Sequence, residues 1–140
     1  MMESKQVYWT DGYRYRLQSD FFAAVKIYPK EDITSSTGLV TLTKTGQLTI
    51  RKNYSWDGAS GPTFDTKSCR RGALVHDALY ELMREGLLDP EIWRKQADHE
   101  LWRICREDGM WKWRADAWYD AVRLAGLDAA TEKRRVHSAP

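Results

Sequence analysis

The stretch QLTIRKNYSWDGASGPTFDTKSCRRGALVHDALYELMREG, Gln47 to Gly86, decides the fold, because the spacing of its apolar residues changes part-way along. Up to Ile50 apolar and polar residues alternate, which is the period of a half-buried strand. After Ser68 the apolar residues recur at the helical period, and Gly86 is a suitable helix stop. A loop rich in Gly, Ser and Pro separates the two patterns. We therefore expect strands before this loop and helices after it.

The half of the chain before the loop carries short runs of β-branched and aromatic residues, YRYRLQ, FFAAVKIYP, GLVTLT and QLTIRK. Such runs, bounded by turn residues, are typical of strands. The last two are joined through Lys44 to Gly46, a connection typical of a hairpin. We predict a small antiparallel sheet with strands at about residues 7–51, followed by a loop at 52–67.

The half after the loop carries three helical patterns. The first begins near Ser68 and stops at Gly86, and the second begins at Pro90, where Asp89 can serve as the N-cap, and runs to Gly109. The third pattern, WRADAWYDAVRLAG, is expected to end at its last glycine. The three helices should therefore lie within about residues 68–126.

Together these patterns predict an α+β fold, with a small N-terminal antiparallel β-sheet followed by a three-helix C-terminal half. A chain of 140 residues that are 42% hydrophobic has the size and composition of one compact domain, which we place at residues 1–127. Residues 128–140 contain few apolar side chains and a basic cluster. We expect a flexible basic tail there.

Charge and cysteine content narrow the classes of function. The formal net charge is only +2, so there is no overall electrostatic case for a nucleic-acid partner. Cys69 and Cys105 form no CxxC pair, which argues against a disulfide framework and a zinc knuckle. The sequence has neither the apolar core of a signal peptide nor the roughly twenty apolar residues of a membrane span. We therefore expect a soluble protein in a reducing compartment.

The strongest candidate for chemistry is the adjacent pair His76 and Asp77 on the first helix. His76 and Tyr80 are four residues apart and share a helix face, whereas Asp77 is turned about a quarter of a circle away. If the first two helices pack antiparallel, Asp98 comes level with His76, and the small Ala97 permits close approach. A histidine oriented by a carboxylate is a common general base. The same contacts also suit a core histidine whose partners are purely structural.

The glycine-rich loop could supply the other half of a site. The sequence WDGASGP allows tight turns that aim successive backbone carbonyls at one point, and Asp77 would add a negative charge. Hard cations such as Ca²⁺ prefer carbonyl and carboxylate oxygens. In the structural interpretation, Asp57 only caps a turn of this loop.

The combination of WDGASGPT, RRGALVHDALYELMREG, RKQADHELWRI and DAVRLAG resembles a phage-encoded family of unknown function, found in phage and prophage genomes. The likeness covers the chain from about Phe21 to Gly126. It implies a viral origin, which places the protein in the bacterial host cytoplasm or in the virion, but it implies no activity.

A second resemblance bears on mechanism. HDALY is similar to the His-Asp-x-x-Tyr helix of the phospholipase A2 superfamily, and ADHELW to the Ala-Asp-x-x-Phe helix of the short viral capsid phospholipases. In that superfamily the histidine is the general base, and the tyrosine and a later aspartate hold it. The resemblance implies these roles for His76, Tyr80 and Asp98.

The same resemblance implies a calcium site. In the superfamily the aspartate after the histidine binds calcium together with alternate carbonyls of a Gly-rich loop, which correspond here to Asp77 and to Trp56, Gly58 and Ser60. The chain departs from the secreted enzymes because it lacks their disulfides, and its loop contains Trp56 and Pro62 where a usual calcium loop differs in character. The N-terminal sheet has no explanation in a phospholipase.

Aromatic and basic residues alternate through the C-terminal half. This mixture suits a membrane interface and a protein interface equally well, and half of the rings are expected to fill the core. A nucleic-acid patch is the less favoured interpretation. The aromatic residues are Trp93, Trp102, Trp111, Trp113, Trp118 and Tyr119.

Two hypotheses of function follow. The first is a calcium-dependent lipid hydrolase in which His76 activates water while the metal stabilises the oxyanion, with a phospholipid surface as its partner. The alternative is a non-enzymatic virion, tail-assembly or host-interaction protein that binds other phage or host proteins and keeps the His-Asp helix as structure.

Overall fold

The structure, a computed structural model, describes residues 2–10, 15–56 and 67–131. These residues form short antiparallel strands in the N-terminal half and long helices in the C-terminal half, which confirms the predicted α+β class. The strands are β1 (Trp9–Thr10), β2 (Tyr15–Leu17), β3 (Phe21–Ala24), β4 (Ile33–Thr34), β5 (Val40–Leu42), β6 (Gln47–Ile50) and β7 (Ser55–Trp56); the helices are α1 (Lys67–Arg84), α2 (Pro90–Glu107) and α3 (Lys112–Thr131).

The strands form two small sheets rather than the one that the sequence predicted. One has the order β1-β2-β7 and the other the order β3-β6-β5-β4. The chain bends between β2 and β3, where the Asp20 carboxylate accepts a hydrogen bond from the Lys52 amide at 2.8 Å. This bend takes β3 out of line with β2, so the two strands join different sheets.

The predicted hairpin at Lys44 to Gly46 is confirmed. Strands β5 and β6 pair antiparallel, with Leu42 opposite Leu48 and Val40 opposite Ile50. Gly46 has a φ of +88°, a conformation that costs glycine little. The alternation of buried and half-buried residues along β6 matches the two-residue period that predicted the strand.

Strand β7 is a correction, since it lies inside the stretch predicted as a loop, residues 52–67. The chain turns at Asn53, which has a φ of +82°, and Trp56 then pairs with Tyr15 of β2. The Trp56 side chain is buried in the main core. A two-residue strand has no sequence period of its own, so only pairing with a distant partner defines it.

The predicted stop of α1 at Gly86 and the predicted cap of α2 at Asp89 are both confirmed. Gly86 has a φ of +78°, and its amide donates to the Met83 carbonyl at 3.0 Å. This left-handed glycine ends α1 as a C-cap residue. Asp89 caps α2 by accepting a hydrogen bond from the Glu91 amide at 2.9 Å, and Pro90 begins the helix.

The end of the third helix was predicted wrongly. Helix α3 continues through Gly126 to Thr131, so residues 128–131, predicted as the start of a tail, are helical. Gly126 serves packing instead: a Cβ there would overlap the Tyr80 hydroxyl and lie 3.0 Å from Arg94 Nη1. The glycine is present because α3 passes close to α1 and α2. The rest of the predicted tail lies outside the described residues.

The main core lies between the sheets and α1, which buries Leu74, Val75, Leu79 and Leu82. Helices α1 and α2 approach closely at Gly72, where a Cβ would lie 2.8 Å from the Cys105 sulfur. This close approach brings the middle of α1 beside the middle of α2, where the candidate residues lie. Among the described helices, none has the length and apolar character needed to cross a membrane.

Candidate functional site

The structure brings His76, Tyr80 and Asp98 together, as the sequence predicted. His76 Nε2 lies 2.7 Å from Asp98 Oδ1, and the Tyr80 hydroxyl donates to the same oxygen at 2.5 Å. The imidazole and phenol rings are adjacent, with their centroids 4.1 Å apart. The antiparallel packing of α1 and α2 therefore produces the histidine-carboxylate pair that a general base requires.

The second oxygen of Asp98 binds two arginines that the sequence analysis missed. Arg123 Nη1 of α3 donates to Oδ2 at 2.8 Å, and Arg94 Nη1 of α2 lies 3.6 Å from the same oxygen. Arg94 precedes Asp98 by four residues, so helical spacing could have indicated this contact. Arg123 lies on another helix, and no local signal pairs it with Asp98.

Asp98 is an ionised carboxylate in spite of its burial. Its side chain has no exposed surface, and burial alone raises the pKa of a carboxyl group. The hydrogen bonds from His76, Tyr80 and Arg123 outweigh this effect and hold the pKa of Asp98 below its usual value. Burial and the neighbouring carboxylate raise the pKa of Tyr80, so its hydroxyl stays protonated and donates.

The ionised carboxylate determines which imidazole nitrogen can act as a base. Because Asp98 Oδ1 can only accept, the neutral ring of His76 carries its proton on Nε2. The lone pair then lies on Nδ1, which has no hydrogen-bond partner among the described residues. The His76 side chain keeps 15% of its surface exposed, so a small molecule such as water has access to part of the ring.

Asp77 has a partner that the sequence analysis also missed. The Tyr54 hydroxyl donates a hydrogen bond to Asp77 Oδ2. Tyr54 is buried, and burial together with the Asp77 charge raises its pKa well above the usual range, so the hydroxyl keeps its proton. Within the described part of the chain, Asp77 Oδ1 has no hydrogen-bond partner.

Among the described residues, Tyr54, two positions before Trp56, connects the approach to the candidate calcium loop with Asp77. Trp56 is the last described residue before the loop, and its ring stacks on that of Tyr54 with centroids 6.3 Å apart. Gly58 and Ser60 lie outside the described residues. No group of three or more His, Cys, Asp and Glu side chains suited to a metal occurs in the described ranges. A site there would combine one carboxylate with backbone carbonyls, a donor set that suits Ca²⁺.

The other titratable residues near the site do not join it. His99 is exposed and stacks on Trp102 with centroids 5.5 Å apart. Cys69 and Cys105 are both buried, and burial raises the pKa of Cys105 to about 12. A thiol held in this state is a poor nucleophile. The candidate base is therefore His76.

The chain matches no family model, no curated protein and no solved structure.

Proposed function

We propose that this protein is a phage-encoded, calcium-dependent hydrolase of phospholipid esters, similar in its site to the phospholipase A2 superfamily. One observation carries the proposal: the buried Asp98 carboxylate binds Nε2 of His76, which leaves the basic lone pair on Nδ1. A purely structural histidine needs no such free nitrogen.

The reaction would begin when Nδ1 of His76 accepts a proton from a water molecule. The water oxygen attacks the ester carbonyl carbon, and a tetrahedral intermediate forms. The resulting imidazolium is stabilised by the Asp98 carboxylate, which is already ionised. When the intermediate collapses, the carbon-oxygen bond to the alcohol breaks and His76 returns the proton to that oxygen. The products are a fatty acid and a lysophospholipid.

Arg94 and Arg123 support this role by fixing Asp98 without displacing His76. Both arginines contact Oδ2, whereas His76 and Tyr80 share Oδ1. The carboxylate therefore cannot rotate away from the imidazole without breaking an ion pair. A base held in one orientation loses less entropy on the way to the transition state.

Calcium would be held by Asp77 and by the carbonyls of Trp56, Gly58 and Ser60. When bound there, the ion would supply positive charge for the oxyanion of the intermediate. The hydrogen bond from Tyr54 fixes the Asp77 side chain through Oδ2 and leaves Oδ1 for a metal. This arrangement resembles the outer support that carboxylate ligands commonly receive.

The proposal is tested by fatty-acid release from vesicles of phosphatidylcholine and of phosphatidylglycerol, measured with millimolar calcium and with a chelator. We expect release that depends on calcium and on His76. Protein that is inert on both lipids in the presence of calcium would refute the hydrolase. Hydrolysis that continues unchanged in the chelator would refute the calcium role alone.

The alternative is a virion, tail-assembly or host-interaction protein in which the cluster is structural. It is favoured by the four partners of Asp98, because the carboxylate ties α1, α2 and α3 together. In that case the wild-type protein hydrolyses nothing, and replacing His76 lowers the melting temperature.

A further inference from the structure

Two tryptophans at the start of α3 are exposed, although tryptophan is usually largely buried. Trp111 is 70% exposed and Trp113 is 66% exposed. Their rings lie together, with centroids 6.2 Å apart. Paired large aromatic side chains on a surface mark a site of interaction. We call these two residues the tryptophan edge.

The tryptophan edge borders an open cavity of about 480 Å³, which is also lined by Ser68, Met110 and Arg114. Ser68 lies in the first turn of α1, at the end where the chain leaves the candidate calcium loop. His76 is two helical turns further along the same helix, about 12 Å at the rise of an α-helix. The edge therefore borders the first turn of α1, the helix that carries His76 further along.

Basic side chains accompany the tryptophan edge. Lys112 lies between the two tryptophans with 68% of its side chain exposed, Arg106 is exposed, and Arg114 lines the cavity. Lys112 contacts Asp116 at 2.8 Å, so part of its charge is compensated.

The two acidic residues that precede the edge, Glu107 and Asp108, form ion pairs with arginines of α1 and α2. Arg71 contacts Glu107 at 3.1 Å and Asp108 at 3.0 Å, and its own side chain is buried. Glu107 also forms an ion pair with Arg103, so the two carboxylates face two arginines. Lys112 and Arg106 remain exposed beside the edge, and Asp116 is the carboxylate that Lys112 contacts.

We propose that the tryptophan edge is the surface through which the protein binds a bilayer of anionic phospholipid. Indole rings favour the headgroup region, and each basic residue near an anionic bilayer adds attraction. A second copy of the chain is a poorer occupant, because its edge would bring the same basic residues face to face. The inference deepens the proposed function by naming the surface that would present lipid to His76.

The test is co-sedimentation with vesicles of phosphatidylcholine alone and of phosphatidylcholine mixed with phosphatidylglycerol. A chelator is present throughout, so binding is measured without hydrolysis. We expect the wild-type protein to bind the anionic vesicles at least about tenfold more tightly than the zwitterionic ones. The double variant Trp111→Ala/Trp113→Ala should lose at least about tenfold of this binding, since it removes two interfacial rings.

The matched control is Ile92→Ala/Leu124→Ala, which removes two apolar side chains that are 63% and 89% exposed elsewhere on the helices. This variant should bind as the wild type does. Lys112→Gln should keep the fold and weaken binding to the anionic vesicles by about fivefold. Binding to vesicles of phosphatidylcholine should not change. Circular dichroism of each variant establishes that the helices are retained.

The inference is overturned if the wild type does not bind anionic vesicles, or if the tryptophan variant binds as the wild type does. It is also overturned if both double variants lose binding equally, or if the edge is needed only for self-association or for binding RNA. Vesicle binding without ester hydrolysis would refute the proposed function and support the inference. Hydrolysis of dispersed short-chain phospholipid without vesicle binding would support the proposed function and refute the inference.

Discussion

Asp98 of α2 and Arg123 of α3 are joined by a contact of 2.8 Å between Oδ2 and Nη1, on the side of the carboxylate that does not face His76. The same carboxylate thus orients the candidate base and connects the third helix to the other two. Stability and the proposed activity are consequently coupled at this residue, whereas at His76 they can be separated.

Replacing His76 by Asn should abolish lipid hydrolysis with little change in melting temperature. Asparagine keeps a hydrogen-bond donor near Asp98 but has no titratable nitrogen. We expect calcium-dependent fatty-acid release to fall by at least about a hundredfold. His99→Asn is the matched control, since His99 follows Asp98 in sequence but stacks on Trp102. Equal loss of activity in both variants would argue against His76 as the base.

Replacing Asp98 by Asn should destabilise the protein much more. It leaves Arg94, whose side chain is 11% exposed, and Arg123 without their counter-charge. We expect the free energy of unfolding to fall by about 3 kcal/mol, as for other broken buried ion pairs. Asp120→Asn, at an exposed position on α3, should change little. Urea unfolding of the two variants makes the comparison, and equal stability would contradict the buried ion-pair network.

The stability that Asp98 contributes should decrease as the solution becomes acidic. Its pKa in the folded protein lies below the usual value of 3.8, so its contribution is fully present above that value. As the pH falls below about 3.8 and toward the folded pKa, the contribution is lost. The difference in unfolding free energy between wild type and Asp98→Asn should therefore be constant near neutral pH and shrink in acid. A difference that did not shrink below about pH 3.8 would contradict the lowered pKa of Asp98.

The buried residues Tyr54 and Tyr80 should affect calcium binding and the chemical step, respectively. Tyr54→Phe removes the hydrogen bond to Asp77, and Tyr80→Phe removes one to Asp98, while both keep the ring. We expect each to lower stability by about 1 kcal/mol. Tyr54→Phe should raise the calcium concentration needed for half-maximal activity, whereas Tyr80→Phe should lower kcat at saturating calcium. If the two variants had the same kinetic effects, Tyr54 would have no separate role in calcium binding and Tyr80 none in catalysis.

The Asp77→Asn variant gives the sharper result for calcium, because it removes the charge and keeps the size. Hydrolysis should fall by at least about a hundredfold, and calcium should no longer raise the melting temperature. Asp120→Asn again serves as control. A melting temperature that rises with calcium in Asp77→Asn as it does in the wild type would place the ion elsewhere.

Gly126→Ala should destabilise the protein although alanine is the better helix former by about 1 kcal/mol. The added Cβ would overlap the Tyr80 hydroxyl and crowd Arg94 Nη1 at 3.0 Å. Overpacking of this kind costs about 1 to 3 kcal/mol. Thermal unfolding measures it, and a more stable variant would contradict the close approach of α3 to the site.

Local sequence was sufficient for most of the strands and helices and for half of the candidate site, but not for β7 or for the end of α3. The two-residue period of β6, the left-handed Gly86 and the Asp89 cap are properties of neighbouring residues, and each was predicted from them. His76 and Tyr80 share a face because α-helical geometry places residues four apart side by side. The pairing with Asp98 also followed, since a short connection makes α1 and α2 antiparallel neighbours.

Only the tertiary structure decided which other side chains complete the cluster. Tyr54 contacts Asp77 across 23 positions, and Arg123 contacts Asp98 across 25. Helical and strand periods relate residues a few positions apart and carry no information at such separations. Gly126 shows the same limit: its sequence context indicates a helix end, but the approach of α3 to Tyr80 makes it a packing residue within the helix. Local sequence thus determines the hairpin of β5 and β6, the stop at Gly86 and the cap at Asp89. The pairing of β7, the length of α3 and the charges around Asp98 depend on contacts between distant parts of the chain.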